Sequence, residues 1–158
     1  MSLNSYPQSD YSLKETWGQW LTEVGDKAGG WDWWATLTFR DRTADEIARG
    51  WTKPGWKYTQ GAWDTFLEQI EASKGMFGTV PWVRGREYQH WRGVPHFHAL
   101  IGGVRDLRRM DWVDWWFEHY GIARILPYDR QLGAGYYICK YTVKEFGDIQ
   151  FSQGLTKD

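Results

Sequence analysis

Residues 93–101 read Gly93-Val94-Pro95-His96-Phe97-His98-Ala99-Leu100-Ile101. The stretch is apolar and aromatic, and Arg92-Gly93 before it reads as a short turn, so it is expected to be a strand over 94–101. Side chains two apart on a strand share a face. His96 and His98 therefore project together, and Phe97, Ala99 and Ile101 point the other way, toward packed helices. The preceding stretch, 78–89, reads as a partner strand. A tight turn at Arg92-Gly93 pairs Trp91 with Val94, which sets Glu87 opposite His98 and Gln89 opposite His96. A carboxylate then stands on the face of both imidazoles, within about 5 Å at the Cβ level. Two imidazoles and one carboxylate suit Mn2+, Mg2+ or a similar ion that keeps positions open for water and phosphate. A slip of one residue would turn Glu87 into the core. A His-x-His pair alone is more often packing than ligation; the carboxylate across the hairpin carries the reading.

Working outward, the pattern supplies the elements around this hairpin. Ser12-Leu13-Lys14-Glu15 is a capping box that predicts a helix to about Val24, closed by Gly25, with residues 1–10 a flexible N-terminus. Residues 31–39 are aromatic and β-branched and predict a strand, with Leu37 and Phe39 alternating with Thr36 and Thr38. Thr43-Ala44-Asp45-Glu46 is a second capping box, for a short helix ending at Gly50. Trp63, Phe66, Leu67 and Ile70 form one stripe of a helix over 60–73. A helix over 105–119 is expected to pack Leu107, Met110, Trp112, Trp115 and Trp116. Residues 121–127 predict a fourth strand, and residues 136–146 a last helix. Without the first helix the order is βαββαβ plus a C-terminal helix. That is an α+β fold, a ferredoxin-like split βαβ sandwich: an antiparallel sheet with helices on one face and an open face for a site.

The chain has 158 residues, the size of a single domain, expected here over 11–158. It has no apolar run long enough to span a membrane and no secretory signal pattern at its start. One cysteine, Cys139, excludes an internal disulfide and a multi-cysteine zinc site. A cytoplasmic setting in the host cell follows as the simplest expectation. Net charge is −1, against the basic balance usual in a nonspecific nucleic-acid binder. The first 75 residues carry 8 basic and 11 acidic side chains, and the remainder 11 and 9, so the small positive excess falls in the half with the histidines. Thirteen tryptophans stand out. Most are expected as core and rim, and exposed ones near the histidines, Trp91 and Trp82, are candidates to stack on unpaired bases.

The second chemical element is Tyr136-Tyr137-Ile138-Cys139-Lys140-Tyr141-Thr142-Val143-Lys144. On a helix, i and i+4 are neighbours, so Tyr137 and Tyr141 offer two hydroxyls from one face, with Lys144 a turn further on. Lys140 follows Tyr137 by three, close enough to hold a phosphate or to ease loss of the phenolic proton. A phenol with pKa about 10 needs such help to act as a nucleophile. Aromatic packing with solvated lysines is the plainer alternative.

Taken together these stretches resemble the HUH endonucleases that initiate rolling-circle replication of plasmids, phages and small single-stranded DNA viruses. Ala35-Thr36-Leu37-Thr38-Phe39 looks like the first family motif, Gly93 to Ile101 the second, and Tyr136 to Lys144 the third, in the family's order. Arg86-Glu87-Tyr88-Gln89 falls where the family's third metal ligand lies. The resemblance spans residues 31–146. Mobilisation relaxases place the tyrosine before the histidines, unlike this chain; transposases of the group keep the present order. The resemblance implies a metal-dependent nicking and joining enzyme acting on single-stranded or hairpin origin DNA. Glu87, His96 and His98 would hold Mn2+ or Mg2+, and Tyr137 or Tyr141 would become covalently linked to the cut 5′ phosphate, aided by Lys140. Trp91, Arg92 and Lys144 would contact DNA. Many initiators carry a helicase; no Gly-x-x-x-x-Gly-Lys-Ser/Thr motif is present here, so a host helicase and polymerase are expected partners. Two rivals remain: a non-catalytic single-stranded nucleic-acid-binding module using the open sheet face, and a structural zinc or docking domain.

Overall fold

The computed structural model describes residues 7–51, 54–75, 80–88, 95–134 and 149–155. Its order is α1 (Pro7–Lys27), β1 (Trp31–Leu37), α2 (Ala44–Ala48), α3 (Trp56–Ser73), β2 (Trp82–Tyr88), β3 (Pro95–Gly102), α4 (Arg109–His119), β4 (Ala123–Pro127) and β5 (Ile149–Phe151). The strands form one sheet in the order β4-β1-β3-β2-β5, and every described pairing is antiparallel. The first four strands, with α3 and α4 as crossovers, give the α+β split βαβ arrangement that the sequence predicts. The short strand β5 extends it beyond β2. The expected last helix over 136–146 lies outside the described residues.

One face of the sheet carries the main core. Trp33, Ala35 and Leu37 of β1, Phe97, Ala99 and Ile101 of β3, and Ile125 of β4 pack against Trp63, Phe66, Leu67 and Ile70 of α3 and Trp116 of α4. The α3 stripe is the one that helical periodicity picks out. On α4 the same reasoning misplaces Met110, which is 44% exposed: the helix starts at Arg109, so its buried side is set by Trp116.

The second face is not bare. Leu21 of α1 packs on Trp31 and Trp34 of β1, Val83 of β2 and Leu100 of β3, joined by Ala134. A register shift between Trp31 and Trp33 makes this possible, because it turns both Trp31 and Trp34 to the second face while Trp33 stays in the main core. α1 begins at Pro7, ahead of the Ser12 capping box, since proline is tolerated in a first helical turn. It also runs through Gly25 to Lys27. Gly25 serves packing: a Cβ there would fall onto the Trp31 indole, which donates a hydrogen bond to the Leu21 carbonyl at 3.0 Å. α1 thus covers the end of the face around Trp34 and Leu100. The α2 capping box forms as the sequence predicts, with Thr43 and Glu46 satisfying each other's backbone N–H groups. No described helix is long and apolar enough to cross a membrane.

Candidate metal centre

The β2–β3 ladder pairs Glu87 with His96 and Gly85 with His98. This corrects the expected pairing of Glu87 with His98. The observed pairs are centred one residue earlier than a turn at Arg92-Gly93 requires, and moving the centre by one residue moves the register by two. An even shift keeps every side chain on its face, so Glu87 remains beside both histidines. Gly85 opposite His98 adds no side chain to the space that the Glu87 carboxylate uses.

The three side chains converge. Glu87 Oε2 lies 3.1 Å from His98 Nε2 and 3.3 Å from His96 Nε2. Candidate ligand atoms of all three lie within 4.8 Å of one another. Metal–ligand bonds of about 2.0–2.2 Å at roughly tetrahedral to octahedral angles separate neighbouring ligand atoms by about 3.0–3.5 Å. The spacing therefore fits one ion held by Glu87, His96 and His98. The side chains of His98 and His96 are 6% and 12% exposed and that of Glu87 is 37% exposed, so the open side of the cluster is the carboxylate side.

β1 builds the floor of this site. The Trp34 ring lies parallel to the His98 imidazole, with centroids 5.5 Å apart and planes 10° apart. Thr36, paired with His98 across the ladder, places its Oγ1 3.5 Å from His98 Nδ1. Burial, with the neighbouring His96 second, pushes the His98 imidazolium down to about 3. The nearby Glu87 carboxylate favours a proton on that ring, but the desolvation of a buried cation outweighs one half-exposed partner. His98 is therefore neutral at physiological pH, as a metal ligand must be. Without an ion, an Nε2–H tautomer can donate to Glu87 while Nδ1 accepts from the Thr36 hydroxyl. Ligation through Nε2 needs the other tautomer, and a rotated Thr36 hydroxyl can accept its Nδ1–H.

Beneath the site, on the helix side of β2, lies a cation that no sequence signal marked. Arg84 is fully buried, with its guanidinium 4.5 Å from the Phe97 ring centroid and 5.2 Å from that of Trp63. Its Nη2 donates to Gln60 of α3 at 3.0 Å and to Gln150 of β5. Burial, and then the adjacent Arg86, push it down to about 10, so it stays charged. Phe97, between the two histidines in sequence, separates this cation from the metal centre.

Of the other predicted site residues, Tyr137, Lys140, Tyr141, Lys144, Trp91 and Arg92 lie outside the described residues. Trp82 is on the helix side of the sheet, edge-on to Trp63 at 5.1 Å, and is not a ring on the histidine face. The markedly exposed tryptophans among the described residues are Trp51 and Trp56, at the α2–α3 connection, with Arg42 over the first ring and Arg86 over the second. His119 stacks on Trp115 at the end of α4, away from the cluster. Sequence reasoning omits Trp34 from the site. Its signal is available in the β1 alternation, but the register shift at Trp31–Trp33 obscures which tryptophans share a face.

The sequence profile of the replication-associated protein ORF2 family matches residues 32–146, an interval from β1 through the tyrosine segment that includes Glu87, His96, His98, Tyr137 and Tyr141. No curated protein and no solved structure gives a significant match. The matched interval spans most of the chain and contains the candidate metal centre: the protein belongs to the replication-associated protein ORF2 family.

Proposed function

We propose that this replication-associated protein is an HUH-type endonuclease that nicks and rejoins single-stranded or hairpin origin DNA to start rolling-circle replication. The observation that carries this reading is the convergence of Glu87, His96 and His98 on the sheet face opposite α3 and α4. The family match over residues 32–146, which include Tyr137 and Tyr141, supports it.

In this reading Glu87, His96 and His98 would hold Mn2+ or Mg2+, which when bound would supply Lewis-acid stabilisation of the charge that builds on the scissile phosphate. The Tyr137 oxygen attacks phosphorus and gives up its proton, forming the Tyr–O–P bond as the bond from phosphorus to the 3′ oxygen breaks. The 3′ oxygen takes a proton and leaves as a hydroxyl that can prime a host polymerase. Lys140 orients the phosphate and favours the phenolate. A free 3′ hydroxyl then attacks the phosphotyrosine phosphorus, re-forming a phosphodiester as the bond from phosphorus to the tyrosine oxygen breaks and the phenol takes back a proton; Tyr141 would supply such a 3′ hydroxyl by attacking a regenerated origin in the same way. One phosphodiester is exchanged for another, so no nucleotide triphosphate is consumed; a host helicase would supply unwinding.

A binding module that stacks bases on its sheet face is less well supported. Among the described residues, the β1 rings on that face, Trp31 and Trp34, are buried among α1 and the strands. The test is incubation of the protein with labelled single strands and hairpins, with Mn2+, followed by denaturing electrophoresis. A protein–DNA band abolished by chelator and by Tyr137→Phe with Tyr141→Phe is expected. Tight binding to many strands with no adduct under any metal would favour the binding module.

A further inference from the structure

The sheet register places one cation beside the metal centre that neither the motifs nor the family match assigns. Thr36 of β1 pairs with His98 on one side and with Arg124 of β4 on the other. Directly paired residues share a face, so Arg124, Thr36 and His98 form one row across three strands on the second face. Arg124 is exposed, and no ion pair, hydrogen bond or ring contact links it to another described residue. At two strand spacings, it stands about 10 Å from His98 at the backbone. In the adjacent row Thr38 binds Ile122 through its hydroxyl at 2.8 Å, so its polar group is occupied and, among the described residues, Arg124 is the free donor of this end of the face.

From this geometry we infer that Arg124 holds a backbone phosphate of the single strand that neighbours the one at the metal centre. The inference rests on the nuclease reading and extends it by giving the strand a direction: across β1 toward β4. A guanidinium offers a planar fork of N–H donors matched to phosphate oxygens. Net charge near zero makes a single well-placed cation matter more than it would on a basic surface. The plain alternative is that Arg124 only guards an edge strand against pairing with other chains, since β4 is the outermost described strand on its side.

The two differ in salt dependence. Affinity for a fluorescein-labelled mixed-sequence single strand is measured by anisotropy over a salt series in EDTA, so that no cleavage occurs. Losing one phosphate contact lowers the slope of log affinity against log salt by about 0.7 for a single strand. Arg124→Gln is expected to show that fall, with about tenfold weaker binding at low salt. Arg124→Lys should restore the slope, and Arg108→Gln, altered on the opposite face, should leave it unchanged. An unchanged slope in Arg124→Gln, in a protein whose wild type still cleaves DNA with Mn2+, overturns the role of Arg124 and leaves the nuclease reading intact. A wild type that neither binds nor cleaves single strands overturns both.

Discussion

The buried, neutral state of His98 makes a quantitative prediction for the metal-free protein. In the unfolded chain its imidazole titrates near the ordinary value of about 6.5. In the folded protein burial and His96 hold it at about 3. Between those values the unfolded state binds more protons than the folded state, so stability falls as pH falls. With the two pKa values above, His98 alone removes about 1 kcal/mol on going from pH 7.5 to pH 5.5, and about 2 kcal/mol by pH 5. The assay is urea unfolding in EDTA at pH 7.5, 6.5, 5.5 and 5, comparing wild type with His98→Gln, which keeps a hydrogen-bonding side chain of similar reach. The wild type should lose about 2 kcal/mol more than the variant over this range, with equal dependence on urea. If the wild type instead gains stability relative to His98→Gln on acidification, the Glu87 carboxylate governs His98 and the ring is held as a cation. That result would refute the neutral, ligand-ready imidazole.

Other outcomes follow from the same geometry. Mn2+ titrated into wild type should raise its melting temperature, and Glu87→Gln or His96→Ala should weaken Mn2+ binding by at least about 100-fold in isothermal titration. Thr36→Val should cost about tenfold in Mn2+ affinity with the fold intact, as expected for a partner that orients a ligand, and Thr36→Ser should recover it. Gly25→Ala should destabilise the protein by about 2–4 kcal/mol in thermal unfolding, through overpacking and loss of the Trp31–Leu21 hydrogen bond.

Parts of this structure are legible in the residues because two periodicities suffice for them. Alternation along β3 places His96 and His98 opposite Phe97, and helical spacing along α3 selects Trp63, Phe66, Leu67 and Ile70. The Thr43–Glu46 box is local chemistry and forms locally. Glu87 joins the histidines although its ladder partner differs from the expected one, because the difference is even in register. What the residues conceal is set by tertiary contacts. β5 is three residues long, too short to show a period, yet its Gln150 helps satisfy Arg84. Arg84 itself reads as a surface residue until three aromatic rings and two glutamines surround it. Likewise, Gly25 reads as a helix stop until Trp31 is seen packed against it. The side of the sheet taken by α1 depends on the β1 register shift, which composition does not announce.

The central claim is that Glu87, His96 and His98 assemble a centre for tyrosine-mediated strand transfer. Its most direct test is mass spectrometry of the protein after reaction with single-stranded origin DNA and Mn2+, followed by digestion of the attached strand. A nucleotide joined through its 5′ phosphate to Tyr137 or Tyr141 in wild type, absent from His98→Ala, is the predicted result. A modification on some other residue, or an unchanged yield in His98→Ala, would contradict the account.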